Sequence, residues 1–222
     1  MADDHSMRLA HRGDWRKAPE NTIPAFVAAL AIPACDGLEF DVRLSADGVP
    51  VLSHDADLVR VFGRGERVEA LTADELDEIG MPTLAAVLAA VGRRPFLDIE
   101  LKLDTGRAGV EVMAAGRGPG LERAVVSSFH PYALEPIARL APAWARWLNS
   151  HTLEPGVIAT AQALGCTGVA VKWRALDERS VALARDAGLE VAAWTVRRRP
   201  TFDRLARMGV SAQCVEAAAL DG

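Results

Sequence analysis

Residues 165–196 read GCTGVAVKWRALDERSVALARDAGLEVAAWTV, and the alternation inside this stretch decides the fold class. Gly165 ends a helical pattern, and the β-branched run TGVAVKW follows it as a strand. Asp177 stands where an N-cap is needed for a helix ending near Ala187; Gly188 closes that helix and LEVAAWTV follows. Glycine suits the left-handed position after a helix because it has no Cβ to accommodate. The unit then repeats, with 201–208 as helix, Gly209 as its stop and VSAQCVE as the next strand. Helix, glycine, strand, three times over, is the rhythm of an α/β fold with a parallel sheet.

Working toward the N-terminus, the same scheme continues. Met7 to His11 reads as a short strand, and Thr22 caps a helix in which Ile23, Phe26, Val27 and Leu30 share a face. Strands are expected at 38–42, 49–54, 96–101, 124–129 and 144–148, a capping box at Thr72–Glu75, and an apolar helix at 84–91 closed by Gly92. That makes nine strands, where a (β/α)₈ barrel needs eight. The excess falls on 38–42 and 49–54, which are separated by the turn-like Ala46-Asp47-Gly48, too little chain for a crossover helix. Which of the two is a hairpin arm stays open. No linker or low-complexity stretch interrupts the chain, so a single domain over 1–222 is expected, with a short cap segment after His54.

Bulk properties exclude several classes of function. Half of the 222 residues are apolar and a quarter are charged, which is a soluble globular profile. A net charge of −5 leaves no basic footprint for nucleic acid. No apolar run approaches the roughly 18 residues of a membrane span. The start, MADDHSMRLA, lacks the basic and apolar regions of a signal peptide, so a cytoplasmic location is expected. Cys35, Cys166 and Cys214 are odd in number and far apart, which favours reduced core thiols over a disulfide framework or zinc site.

The chemistry lies in polar residues at strand ends. Side chains two apart on a strand face the same way, so Glu39 and Asp41 project together in LEFDV, as do Asp98, Glu100 and Lys102 in DIELK. Two carboxylates ~4 Å apart repel by about 4 kcal/mol at an effective dielectric near 20. A fold that gathers Glu39, Asp41 and Glu100 needs a cation, a proton or basic partners, and an all-oxygen set favours Mg²⁺ or Ca²⁺. The plainer alternative, a half-exposed strand with Glu39 and Asp41 in solvent, loses ground because the Asp47-Gly48 turn returns the chain and brings His54 toward Glu39. His11 and His54 each close a strand beside charged groups.

HRGDWRKAPENT, LEFDVRLSADGVPVLSHD, DIELK and WTV, in this order and at this spacing, resemble the glycerophosphodiester phosphodiesterase family, and the match covers most of the chain. The resemblance implies a TIM-type barrel with its site at the C-terminal face. It implies metal-dependent hydrolysis of glycerophosphodiesters to glycerol phosphate and an alcohol. Carried over by position, Glu39, Asp41 and Glu100 match the family's divalent-metal ligands, and His11 and His54 match its acid/base histidines. Arg12 and Lys102 match the groups that hold the phosphate, and Trp194 matches the aromatic lining the pocket. Gly13 is expected to let the backbone turn away close to a ligand. Glu20 is read first as a structural tie between its loop and Arg12 or the helix start.

Several positions stay open. His130 and His151 follow strands and can reach the same rim; Asp98 is read equally as an ion-pair partner or a ligand; Trp15 is a lid or a packing residue; Arg197-Arg198-Arg199 reads as a solvated loop. The chain departs from the family near its end, where Glu216 stands roughly where an aspartate is expected, which puts the last strand's part in the pocket in doubt. The partner expected is a small phosphodiester. The competing readings are a lysophospholipase D on the same barrel and a non-catalytic barrel for phosphorylated ligands. Oligomeric state is not legible.

Overall fold

The computed structural model describes residues 5–222; Met1–Asp4, part of the stretch read for a signal peptide, lies outside the described residues. The strands are β1 (Met7–His11), β2 (Gly37–Leu44), β3 (Pro50–Leu52), β4 (Phe96–Leu101), β5 (Ala124–Ser128), β6 (Arg146–Ser150), β7 (Gly168–Lys172), β8 (Glu190–Val196) and β9 (Ala212–Val215). Eight of them pair in parallel, from β1 through β9 back to β4 and β2, and the β1–β2 pairing closes the ring. β3 pairs antiparallel with β2, Leu52 opposite Val42. The run after the Asp47-Gly48 turn is therefore the hairpin arm, and the barrel is a closed TIM-type (β/α)₈ barrel.

The helices are α1 (Ile23–Leu30), α2 (Val59–Phe62), α3 (Ala73–Glu78), α4 (Leu84–Val91), α5 (Gly106–Arg117), α6 (Pro131–Leu140), α7 (Pro155–Ala163), α8 (Glu178–Asp186) and α9 (Arg199–Arg207). The starts of α1, α3 and α8 are fixed by the residues expected to cap them. Thr22 accepts from the Ala25 amide, Thr72 and Glu75 close a reciprocal capping box, and Asp177 accepts from the Ser180 amide. None among the described residues is long and apolar enough to cross a membrane.

Strand alternation sorts the side chains of β2 into two populations. Leu38, Phe40 and Val42 face the helices and join a core with Phe26, Leu97 and Ile99, in which the Phe26 and Phe40 rings lie 5.5 Å apart. Truncating such a buried Phe costs about 3–5 kcal/mol, so this layer locks β2 in register. Glu39 and Asp41, one residue out of phase, necessarily point into the barrel. Beneath them the barrel is plugged by Leu9, Val125, Trp147, Ala192 and Ala212. The polar pair therefore sits on an apolar floor at the C-terminal ends of the strands.

Residues 53–83 form the expected cap segment. It has an apolar cluster of its own, built from Leu58, Val68, Leu76 and Met81 against Val51 of β3. That small core makes the insertion a folded unit seated on the barrel rather than a loose loop.

Candidate active site

Register brings the acidic residues together. Across the β2–β4 ladder Asp41 is opposite Glu100 and Glu39 opposite Asp98, while His11 at the end of β1 is opposite Glu39. One carboxylate oxygen from each of Glu39, Asp41 and Glu100 lies within 4.8 Å of the others. All three residues are buried, Asp41 completely. Glu39 and Glu100 border a cavity of about 470 Å³ that His11, Arg12, His54, Lys102 and Trp194 also line. Every residue predicted for the site except Asp41 lines that cavity, and Asp41 lies directly beneath it between Arg12 and Lys102.

The loop after β1 is shaped by two left-handed residues that are not glycine, Arg12 (φ 58°) and Asn21 (φ 57°). Such residues cost about 1–2 kcal/mol each and persist only where contacts fix them. Here the Arg12 amide donates to the Glu39 carbonyl, the Asn21 amide donates to the Arg12 carbonyl, and Asn21 is bonded twice to Asp41. Gly13 turns at φ 84°, and a Cβ there would lie 2.7 Å from the Ala25 backbone. The positive φ is the turn expected of Gly13, and its close approach to α1 is a second reason for glycine there.

Electrostatics divides the carboxylates. Burial would raise Asp41, but Lys102 Nζ at 2.8 Å and Arg12 Nε at 3.0 Å outweigh it and hold the group below its ordinary range. Glu39 is pushed well above its ordinary value by burial and by Asp41 and Glu100, and Glu100 is raised by burial and Asp41 despite its contact with Lys102. Glu39 Oε2 is buried without a hydrogen-bond partner. Three oxygens close together, two of them costly to ionise and one unpartnered, fit a small dication. Donor oxygens on opposite sides of a cation with bonds of about 2.3–2.6 Å stand about 5 Å apart, which accommodates the observed spread.

The two histidines are each anchored through Nδ1. His11 Nδ1 lies 2.6 Å from Glu216 Oε1, and His11 Nε2 lies 3.8 Å from Glu39 Oε2. His54 Nδ1 lies 2.7 Å from Asp55 Oδ1. His54 stands two residues past the end of β3, where Arg43 fixes its carbonyl with two donated hydrogen bonds. Burial lowers the His54 pKa.

Glu216 is the main residue the sequence left unresolved. It is buried and bonds both His11 and Arg197, so the last strand does contribute to the site. Its partner lies 205 residues away in sequence, and no local spacing signals the pairing. Glu20 bonds Arg12 at 3.0 Å, the structural tie expected of it, and also Arg60 on α2. Among the described residues Asp98 has no ion-pair partner: it is buried, its Oδ1 has no hydrogen-bond partner, and burial pushes it up to about 7.

Of the remaining open positions, His130 and His151 fall on the rim. His151 and Phe129 pack against Trp194 with ring centroids 5.2 and 5.4 Å away. His130 lines the same cavity and stacks on Tyr132. Trp15 is half exposed and outside the cavity lining. Trp194 is fixed by its Nε1–H, which donates to the Ala170 carbonyl at 3.0 Å.

A family model described as the Glycerophosphoryl diester phosphodiesterase family matches residues 11–218. The glycerophosphodiester phosphodiesterase of Caldanaerobacter subterraneus subsp. tengcongensis is 27% identical, over 91% of this chain and 90% of its own. The probable glycerophosphodiester phosphodiesterase 1 of Mycobacterium tuberculosis is 30% identical, over 93% of this chain and 88% of its own. Among solved structures, an Oleispira antarctica phosphodiesterase in complex with the product sn-glycerol-3-phosphate superposes with a TM-score of 0.84 at 27% identity, covering 94% of this chain and 92% of that one.

Proposed function

The chain belongs to the glycerophosphoryl diester phosphodiesterase family and is by that membership a phosphoric diester hydrolase; on that premise we propose that it cleaves glycerophosphodiesters to glycerol phosphate and an alcohol, using one divalent cation on Glu39, Asp41 and Glu100 and acid/base catalysis by His11 and His54. The observation that carries this reading is the convergence of two carboxylate-anchored imidazoles and three clustered carboxylates on one cavity at the C-terminal face.

A phosphodiester anion repels nucleophiles and leaves a poor alkoxide. A bound Mg²⁺ or Ca²⁺ supplies charge neutralisation at the phosphoryl oxygens. Arg12 and Lys102 add fixed positive charge beside it; Asp41, pinned between them, keeps both from swinging out to solvent. With Nδ1 bonded to a carboxylate, each ring has Nε2 free to move a proton. One histidine takes the proton of the attacking hydroxyl and the other donates a proton to the departing alkoxide. Attack by water gives glycerol phosphate directly, whereas attack by the neighbouring glycerol oxygen gives a cyclic phosphate that water then opens. Each such transfer contributes about 10²–10⁴-fold. Trp194 and Phe129 give the organic part of the substrate an apolar wall.

On this reading the protein is a cytoplasmic single-domain enzyme acting on water-soluble diesters. A panel of glycerophosphodiesters with added Mg²⁺ or Ca²⁺, read as released glycerol phosphate, tests the activity. Release of headgroup alcohol from lysophospholipids alone would instead favour the lysophospholipase D reading, and no release from either would leave a binding protein.

A further inference from the structure

We propose that Arg60 and Arg197 are positioning residues, each holding one of the two histidines in its working tautomer through an intervening carboxylate; the proposal rests on the acid/base reading above. The two arrangements match atom for atom. His11 Nδ1 is 2.6 Å from Glu216 Oε1, and Arg197 Nε donates to Glu216 Oε2 at 2.6 Å. His54 Nδ1 is 2.7 Å from Asp55 Oδ1, and Arg60 Nε donates to Asp55 Oδ2 at 2.6 Å. They are assembled from unrelated parts. Arg197 and Glu216 follow β8 and β9, whereas Asp55 and Arg60 belong to the inserted cap segment. Neither arginine lines the cavity.

An ionised carboxylate can only accept hydrogen bonds, so it requires the proton of a neutral imidazole to sit on Nδ1 and leaves the lone pair on Nε2. The arginine acts on the carboxylate in two ways. Bonded at the second oxygen, it fixes the plane of the group and hence the direction in which the ring is held. As a permanent cation, it keeps the group ionised, so the proton stays on the imidazole. Glu216 and Asp55 both lie below their ordinary pKa range: burial would raise each, and contacts with the histidine and the arginine outweigh it. A plain surface ion pair is the competing account, since the Arg197 side chain is 69% exposed and that of Arg60 is 49% exposed. Such pairs contribute little to stability, so a purely structural role predicts almost no effect of removal.

The two arms differ in one testable respect. Among the described residues the Arg197 side chain bonds only Glu216, whereas the Arg60 fork also holds Glu20, whose Oε1 accepts from Arg12. Loss of Arg197 should reach one histidine; loss of Arg60 should reach His54 and the phosphate-binding Arg12 together.

The experiment combines long-range ¹⁵N–¹H spectra of the imidazole rings with steady-state kinetics on the full chain, for Arg60→Ala, Arg197→Ala and the milder Arg60→Gln and Arg197→Gln. In the parent protein both rings are expected to carry a proton on Nδ1, the base with a bare Nε2 and the acid with a second proton there. Arg197→Ala should shift only the His11 signals and lower kcat about tenfold at unchanged KM. Arg60→Ala should shift the His54 signals, lower kcat and raise KM. In a His11→Gln background, Arg197→Ala should cost nothing further, the non-additivity expected of residues acting in one chain. Arg67→Ala, which breaks an exposed pair with Glu69 on the same segment, is the control expected to change nothing. Unmoved ring spectra, kcat unchanged within a factor of two, or an equal Arg197 effect without His11 would overturn the proposal. The spectra need no substrate, so absence of hydrolysis would defeat the functional reading separately.

Discussion

Asn21 and Asp41 clasp each other across the first turn of the site: Asn21 Nδ2 donates to Asp41 Oδ2 at 2.9 Å, and the Asp41 amide donates to Asn21 Oδ1 at 3.3 Å. Asn21 is left-handed, which asparagine tolerates better than most residues, so its identity serves both the turn and the clasp. Asn21→Ala loses both bonds and strains the turn, and should destabilise the protein by about 1–3 kcal/mol. Asn21→Asp keeps the turn but replaces the donor with a second carboxylate. It should lower turnover more than Asn21→Ala does, and the comparison of thermal melts with kcat separates the two effects.

His11→Ala and His54→Ala should each lower kcat by at least about 10²-fold with the circular dichroism spectrum unchanged, because neither ring contributes to the apolar core. Near-normal turnover in either variant would remove that residue from the mechanism.

Removal of the cation should be equally decisive. Chelation is expected to abolish hydrolysis, and Mg²⁺ or Ca²⁺ to restore it. Because the cation would bind the folded carboxylate cluster and not the open chain, metal at 100 times its Kd should add about 2.7 kcal/mol of stability. Glu39→Gln, which alters the unpartnered oxygen, should blunt both responses. Full activity in EDTA would show that Arg12 and Lys102 suffice without metal.

What was legible in the sequence follows from the range of the physics involved. Strands announced themselves through two-residue alternation and the glycines that close the preceding helices. Which of the 38–42 and 49–54 runs is the hairpin arm was not legible, because the pairings that decide it, β2 with β1 and β4, lie outside the local turn. Two barrel helices, α5 and α6, had no counterpart in the sequence pattern. GRAGVEVMAAGR carries three glycines and PYALEPIARL two prolines, and packing of Met113, Leu134 and Ile137 on the core overrides these weak local preferences. In the site, Glu39, Asp41, Glu100 and the histidines were legible because strand periodicity or motif order fixes them. The pairing of Glu216 with His11 and the reach of Arg60 from the cap depend on closure of the barrel and carry no local mark.

Arg16 joins Asp14, in the loop after β1, to Asp221 near the chain end, at 2.7 and 2.8 Å. Its hydrogen bonds hold both carboxyls below their ordinary range. A carboxyl depressed by folding stabilises the native state above its unfolded pKa, about 3.9, and loses that contribution as pH falls through the lower folded value. Arg16→Ala should therefore melt below the parent protein near neutral pH, with the gap narrowing below about pH 4. A gap of constant size down to pH 2 would rule out the pairing as its cause.

Trp194 offers the clearest separation of binding from chemistry. Its ring forms the cavity wall with Phe129 and His151, it is anchored by Nε1–H to Ala170, and it touches none of the three clustered carboxylates by hydrogen bond. An apolar wall acts on substrate and transition state alike, so its loss should raise KM and leave kcat nearly intact. Burying a side chain of this kind is worth about 1.5–3 kcal/mol, and every 1.4 kcal/mol is tenfold, so Trp194→Ala should raise KM roughly ten- to hundredfold. Trp194→Phe keeps the apolar face, loses only the bond to Ala170, and should fall between Trp194→Ala and the parent protein. A fall in kcat with KM unchanged in the alanine variant would mean that the ring orders the histidines or the phosphate rather than the alcohol portion of the substrate.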